Sequence, residues 1–81
     1  MTYVDVRELD EWKEGHLEGA IFCPLSELQK GIIPHDLPKD QPLQLYCARG
    51  RRAKLAEALL KPHYPLASAH SLGFDELSKN V

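Results

Sequence analysis

The segment from residue 43 to residue 60, LQLYCARGRRAKLAEALL, decides the fold. It opens with a short apolar run that is typical of a buried strand, and residues 51 to 60 are strong helix formers. The predicted inner face of that helix carries Ala53, Ala56, Leu59 and Leu60. Cys47 lies between the two parts, at the start of a compact loop. The segment therefore predicts a strand, a tight loop and a helix, with a thiol where the strand ends.

The loop after Cys47 has the composition of an anion-binding site. Backbone N–H groups point inward where a loop wraps around a helix N-terminus, and the helix dipole favours negative charge there. Gly50 permits the tight curvature, because glycine takes positive φ without steric cost. Guanidinium groups nearby would bind an oxyanion, and they also favour a thiolate. We therefore expect a Cys47 nucleophile beside an anion seat formed by Ala48, Arg49, Gly50, Arg51 and Arg52.

The alternative for Cys47 is an inert cysteine in the core. Unpaired cysteines are among the most buried residues and usually do no chemistry. Three arginines within the next five residues argue against an apolar setting, and so favour the reactive thiol.

The remaining chain alternates strand-like and helix-like segments. Strands are predicted at residues 2–6, 20–23, 43–46 and 66–70, and helices at residues 8–14, 26–30, 51–60 and 74–79. This alternation predicts an α/β fold, a small parallel sheet flanked by helices on both faces. Ligands of such sheets bind at the carboxyl ends of the strands, which is where Cys47 lies.

Length and charge limit the possible functions. The chain has 81 residues, enough for one domain over 1–81, and a formal net charge of −2, which argues against general nucleic-acid binding. Residues 49 to 54 nevertheless hold four positive charges and no acid, which suits a small anion. No signal peptide or membrane-spanning run is present, so a cytoplasmic protein without a membrane partner is expected. The cysteines and histidines lack ligand spacing, so no metal or cofactor is predicted.

The loop resembles the active-site loop of rhodanese domains, the sulfurtransferases. The amino-terminal part is similar to the rhodanese signature through Asp5-Val6-Arg7-Glu8, Glu11-Trp12, Gly15-His16, Gly19-Ala20-Ile21 and Pro24-Leu25. The short length places the chain nearest the single-domain rhodaneses of the phage-shock type. The chain departs from the family pattern at Ala48 and Arg49, at Cys23, and at Gly73, where the family has paired glycines.

The resemblance implies a thiosulfate sulfurtransferase. In this reading, Cys47 takes the outer sulfur of thiosulfate as a persulfide, residues 48 to 52 hold it, and a thiophilic acceptor removes it. Cyanide is the usual assay acceptor of the family, and a cellular thiol or a dithiol protein is the expected physiological one. No cofactor is required.

Four polar or thiol side chains outside the loop have two readings each. Asp5 and Arg7 are expected to form a structural ion pair rather than a catalytic one. His16 is expected to be a hydrogen-bonded loop residue near the site, with a general base as the alternative. Cys23 is expected to be a buried small hydrophobe, with a resolving thiol as the alternative.

Two other functions compete with sulfur transfer. Cysteine phosphatases and arsenate reductases share a cysteine, loop and helix cradle, but they need an arginine six positions after the cysteine, where this chain has Ala53. A non-catalytic regulatory or binding module with the same fold is the second alternative. The retained Cys47 and the cationic loop argue against it.

Overall fold

The computed structural model describes residues 1–79, which form four strands and four helices. The strands are β1 (Thr2–Asp5), β2 (Ile21–Phe22), β3 (Leu43–Tyr46) and β4 (Ala67–Ala69). The helices are α1 (Leu9–Glu14), α2 (Leu25–Leu28), α3 (Arg51–Leu60) and α4 (Phe74–Lys79). Every element lies where the sequence predicts it, and the differences are confined to the ends.

The strands form one parallel sheet in the order β2-β1-β3-β4. Val4 is aligned with Ile21 on one side and with Leu45 on the other, and Leu45 is aligned with Ala69. Because the side chains of aligned residues share a face, this register builds a continuous apolar surface. All four carboxyl ends meet at one edge of the sheet, and Cys47 follows directly from the end of β3.

Helices cover both faces of the sheet, as predicted. The larger core joins the sheet to α2 and α3 through residues such as Val4, Leu28, Leu45, Ala56 and Leu60. The smaller core lies on the opposite face, where Leu77 of α4 packs with Tyr46 and Leu17. Tyr46 and Leu45 are adjacent in β3 and point into different cores, as the alternation of a strand requires.

The prediction that Leu59 lies on the buried face of α3 is wrong. Leu59 is 41% exposed, whereas Ala53, Ala56 and Leu60 are fully buried. The inner face of α3 follows the spacing i, i+3, i+7, and position 59 lies about 100° around the helix from position 60, at the edge of that face.

None of the helices within residues 1–79 has the length and apolar character needed to cross a lipid bilayer.

Candidate active site

Cys47 is a free, buried thiol that backbone N–H groups surround. The residue is 1% exposed and belongs to the larger apolar core, so the expectation that the neighbouring arginines keep it out of an apolar setting is wrong. The Sγ atom accepts hydrogen bonds from the N–H of Gly50, at 3.0 Å, and from the N–H of Ala53, at 3.4 Å. Peptide N–H groups aimed at sulfur stabilise the thiolate, the form in which cysteine is a nucleophile.

Gly50 explains the shape of the loop. It is the N-cap residue of α3 and has φ +95°, in the left-handed region that glycine occupies without strain. No side chain caps the helix, and its first intrahelical hydrogen bond runs from the N–H of Lys54 to the carbonyl of Gly50. The preceding N–H groups of the first turn are therefore available to the thiol and to an anion.

The thiol lies at the base of an open cavity of about 310 Å³ lined by Cys47, Ala48, Arg49, Arg51 and Arg52. The four that follow Cys47 belong to the predicted anion seat, and its fifth residue, Gly50, instead donates its N–H to the thiol. Arg49 and Arg51 are exposed and form no ion pair with any other residue in the range 1–79. Their guanidinium groups are therefore free to meet an anion at the mouth of the cavity.

Arg52 has a different environment, because Glu11 of α1 holds its guanidinium group. Nη1 donates to Oε1 of Glu11 at 2.6 Å and Nη2 donates to Oε2 at 3.0 Å, a bidentate pair. The hydrogen bonds from Arg52 lower the pKa of Glu11 to about 2, although partial burial opposes the shift, and they raise the pKa of Arg52. The carboxylate is thus charged throughout the neutral range.

Glu11 is itself held in place by the start of α1. Its Oε1 accepts a hydrogen bond from the N–H of Glu8 at 3.1 Å, as part of a reciprocal capping box. Glu8 in turn accepts the hydroxyl of Ser26 at 2.6 Å. The carboxylate that meets Arg52 therefore has a fixed position.

The start of α4 closes the outer side of the loop. The N–H of Phe74 donates to the carbonyl of Cys47 at 2.7 Å. A Cβ on Gly73 would lie only 1.9 Å from the carbonyl oxygen of Ala48. The loop backbone therefore rests directly on the backbone of Gly73, which fixes the path of the segment before α4.

Asp5 and Arg7 form a buried ion pair beneath this contact. Nη2 of Arg7 donates to Oδ2 of Asp5 at 2.8 Å, with side-chain exposures of 6% and 0%. The same nitrogen donates to the carbonyl of Gly15, and the guanidinium carbon lies 4.1 Å from the centroid of the Phe74 ring. The pair links β1, the end of α1 and the start of α4.

Tyr46 completes this polar layer. Its hydroxyl accepts the N–H of Leu17 at 3.1 Å, and its burial raises the pKa of the phenol. The ring stacks on that of Phe74, with the two centroids 6.1 Å apart. Both aromatic rings therefore belong to the support of the loop.

His16 and Cys23 lie outside the thiol's environment. His16 is exposed, its Nδ1 lies 2.8 Å from the carbonyl of Trp12, and its ring stacks on the indole at a centroid distance of 3.4 Å. Cys23 is 1% exposed, and burial raises the pKa of its thiol to about 12. Neither residue makes a hydrogen bond to Cys47 within residues 1–79.

The sequence analysis names three further residues of the site without predicting their roles in it. Ala53 supplies an N–H to Sγ, Glu11 holds Arg52, and Gly73 supports Ala48. The pairing of Glu8 with Glu11 three residues later is a capping-box spacing, which could have marked Glu11 as a helix-start residue. The two other roles depend on tertiary contacts. Among the residues that the structure describes, no cluster of His, Cys, Asp or Glu could hold a metal ion.

Comparisons with known proteins agree with the fold and with the sequence signature. The family model "Rhodanese-like domain" matches residues 1–80. Thiosulfate sulfurtransferase PspE of Escherichia coli is 31% identical over 58 residues, and YrkF of Bacillus subtilis is 30% identical over 61 residues. These alignments cover 72% and 75% of the chain, but only 56% of PspE and 32% of YrkF.

A solved structure supports the same grouping. The human single-domain sulfurtransferase TSTD1 superimposes with a TM-score of 0.82 at 25% identity. The match covers 99% of this chain and 82% of that one. The likeness therefore includes all the strands and helices that carry the site.

Proposed function

The chain belongs to the rhodanese-like domain family of sulfurtransferases, and on this basis we propose that it transfers sulfane sulfur from thiosulfate to a thiophilic acceptor through a persulfide on Cys47. A single rhodanese domain over 1–81 is part of this proposal, and so is a cytoplasmic location.

The reaction has two half-reactions, which is typical of a covalent nucleophile. In the first, the Cys47 thiolate attacks the outer sulfur of thiosulfate. A bond forms between Sγ and that sulfur, the S–S bond of thiosulfate breaks, and its electron pair leaves with sulfite. In the second, a thiolate or cyanide attacks the outer sulfur of the persulfide and restores the Cys47 thiolate. Charge and electrons balance in each step without a redox cofactor.

One observation carries the proposal: two backbone N–H groups meet at the sulfur of Cys47, at 3.0 Å and 3.4 Å. Such dipoles stabilise a thiolate before the attack and would stabilise an anionic persulfide after it. The free guanidinium groups of Arg49 and Arg51 would meet the sulfonate end of the donor at the cavity mouth.

A phosphatase or an arsenate reductase is supported less well. The sixth position after Cys47 is Ala53, which contributes a backbone N–H and no cation. Arg52 is one position short, and its guanidinium is engaged by Glu11. A tetrahedral oxyanion would therefore lack the enclosing arginine that such enzymes use.

The intact mass of the protein after thiosulfate treatment tests the proposal. We expect a gain of about 32 Da, one sulfur, which cyanide removes. Cys47→Ser should abolish both the mass gain and sulfur transfer to cyanide. Cys23→Ser should keep both, because burial raises the pKa of the Cys23 thiol to about 12 and Cys23 is not among the residues that line the cavity.

Equal loss in the two cysteine variants would indicate a dithiol mechanism and would contradict the persulfide on Cys47. A mass gain that survives Cys47→Ser would place the sulfur elsewhere. Turnover of aryl phosphates above that of thiosulfate would instead favour the phosphatase.

A further inference from the structure

We propose that Glu11 determines the anion specificity of the Cys47 cavity by withholding the guanidinium group of Arg52 from it. The inference deepens the proposed sulfur transfer and rests on it for the identity of the donor. It concerns the binding of tetrahedral dianions, which can be measured without turnover.

The first argument is the position of Arg52. It is the arginine nearest in sequence to the position that would enclose a tetrahedral oxyanion, and it lines the cavity. The pKa of Arg52 is raised chiefly by its hydrogen bond with Glu11 and to a smaller extent by the charge of Cys47 at the base of the same cavity. A small turn of this side chain would therefore bring two or more N–H donors toward a bound anion.

The second argument is that Glu11 already uses those donors. Both terminal nitrogens of Arg52 face carboxylate oxygens, at 2.6 Å and 3.0 Å. Paired guanidinium and carboxylate groups have no net charge, so the pair attracts an anion far less than a free arginine does. Arg49 and Arg51 have no such partner within residues 1–79, and they lie at the exposed rim.

The pairing gives the cavity an uneven charge. Its rim carries free cations, whereas its wall beside the thiol carries a neutralised one. A sulfane donor suits this arrangement when its charge stays at the rim while its outer sulfur meets Sγ. Sulfate and phosphate have an oxygen where thiosulfate has its outer sulfur, and that oxygen would need the missing guanidinium at the wall. Glu11 therefore selects against these oxyanions.

Sulfate titration followed by calorimetry tests the inference, because sulfate is a tetrahedral dianion that does not react with a thiol. Glu11→Gln removes the charge while retaining an oxygen that can accept the N–H of Glu8. We expect this variant to bind sulfate about threefold to tenfold more tightly than the wild-type chain. The double variant Glu11→Gln/Arg52→Gln should lose the gain, because the gain depends on the released guanidinium.

A matched control separates this effect from overall charge. Glu27 of α2 pairs with Lys30, which follows that helix, at 3.9 Å, and both side chains are exposed, so Glu27→Gln removes one negative charge elsewhere. It should leave the sulfate affinity unchanged. A gain equal to that of Glu11→Gln would show a general charge effect and would overturn the inference.

Other outcomes are equally decisive. A folded Glu11→Gln variant with unchanged or weaker sulfate binding means that Glu11 only supports the loop. A gain that persists in the double variant means that Arg52 is not the group released. If Glu11→Gln fails to fold, Glu11→Asp loosens the bidentate contact with the charge retained. A smaller increase in sulfate affinity is then expected, and an unchanged affinity would contradict the inference.

These results are independent of sulfur transfer. A protein that forms no persulfide but binds sulfate more tightly after Glu11→Gln would refute the proposed function and leave the role of Glu11 intact. An enzyme that forms the persulfide, but whose sulfate affinity does not rise after Glu11→Gln, would support the proposed function and refute the role of Glu11.

Discussion

Gly73 is the residue at which the active-site loop and the last helix come closest. Its own φ is not in the left-handed region, so the requirement for glycine at this position is one of space. A methyl group would overlap the carbonyl oxygen of Ala48, which belongs to the backbone and has no side-chain freedom to move away. The residue therefore sets how near the loop can lie to α4.

We predict that Gly73→Ala lowers sulfur transfer at least tenfold, because the displaced loop no longer directs its N–H groups at Sγ. Overpacking of this kind should also lower the free energy of unfolding by about 1–3 kcal/mol. The measurements are the rate with thiosulfate and cyanide, and urea unfolding of the same variant.

Gly31→Ala is the matched control for this prediction. Gly31 has φ +81° and nothing within 4 Å of an added Cβ, so its substitution strains the backbone without touching the loop. It should lower stability by about 1 kcal/mol and leave the specific activity unchanged. Wild-type activity in Gly73→Ala would mean that the loop adapts and that the close contact has no catalytic importance.

At the same scale, the sequence predicts some residues of the site and not others. Cys47 and Gly50 lie within one continuous segment, where strand end, turn and helix start are local signals. The orientation of Arg52 depends on Glu11, 41 positions earlier, and no local pattern shows that contact. The sequence could place three guanidinium groups in the loop, but it could not tell which of them is already neutralised.

At the scale of secondary structure, the pair of Glu11 and Arg52 is a clasp between α1 and α3. Helix α1 has six residues and buries none of them completely, so packing alone holds it weakly. Its position relative to the anion seat therefore depends on polar contacts, of which this bidentate pair is a major one.

The clasp makes the free energy of unfolding of the protein depend on pH. The folded pKa of Glu11 is about 2, below its ordinary value of 4.5. The unfolded chain therefore takes up a proton at this carboxyl before the folded chain does. The stabilisation is fully present above about pH 5 and is lost as the pH falls from there toward 2.

We predict that Glu11→Gln lowers the free energy of unfolding by about 1 kcal/mol at pH 7, a value limited by the partial exposure of the pair. The difference from the wild-type chain should shrink as the pH falls below 5. Urea unfolding of both proteins between pH 7 and pH 2.5 measures this. A difference that stays constant over the whole range would mean that the charge of Glu11 contributes nothing to the clasp.

At the scale of the whole molecule, the architecture was largely predictable. Alternating strand and helix segments define a parallel sheet, and short apolar runs define which strands are buried. The strand order and the division into two cores are harder to predict from the sequence, because they depend on which faces of the sheet and helices pack together. Leu59 shows the same limit, because a helix period alone does not tell how wide the buried face will be.

The buried pair of Asp5 and Arg7 connects these parts of the molecule. Asp5 ends a central strand and is fully buried. Arg7 reaches from it to the carbonyl of Gly15 and to the ring of Phe74, whose N–H holds the carbonyl of Cys47. The pair therefore lies between the sheet and the active-site loop, with every buried polar side-chain atom of residues 1–79 hydrogen-bonded.

We predict that Asp5→Asn is among the most destabilising single changes in the chain. It leaves the guanidinium of Arg7 buried without a counter-charge, which costs about 3–5 kcal/mol. That is a large share of the roughly 5–15 kcal/mol that keeps a small domain folded. Thermal and urea unfolding measure the loss, and activity at low temperature should fall with it as Phe74 loses its support.

Two comparisons distinguish this effect from a general loss of charge. Glu27→Gln breaks an exposed ion pair and should change stability by less than about 0.5 kcal/mol. The double variant Asp5→Asn/Arg7→Met removes both buried charges, so it should be more stable than Asp5→Asn alone. If the double variant were instead the less stable of the two, the cost would come from the lost contacts of Arg7 with Gly15 and Phe74. The guanidinium would then support the loop chiefly by packing and hydrogen bonding, and its charge would be secondary.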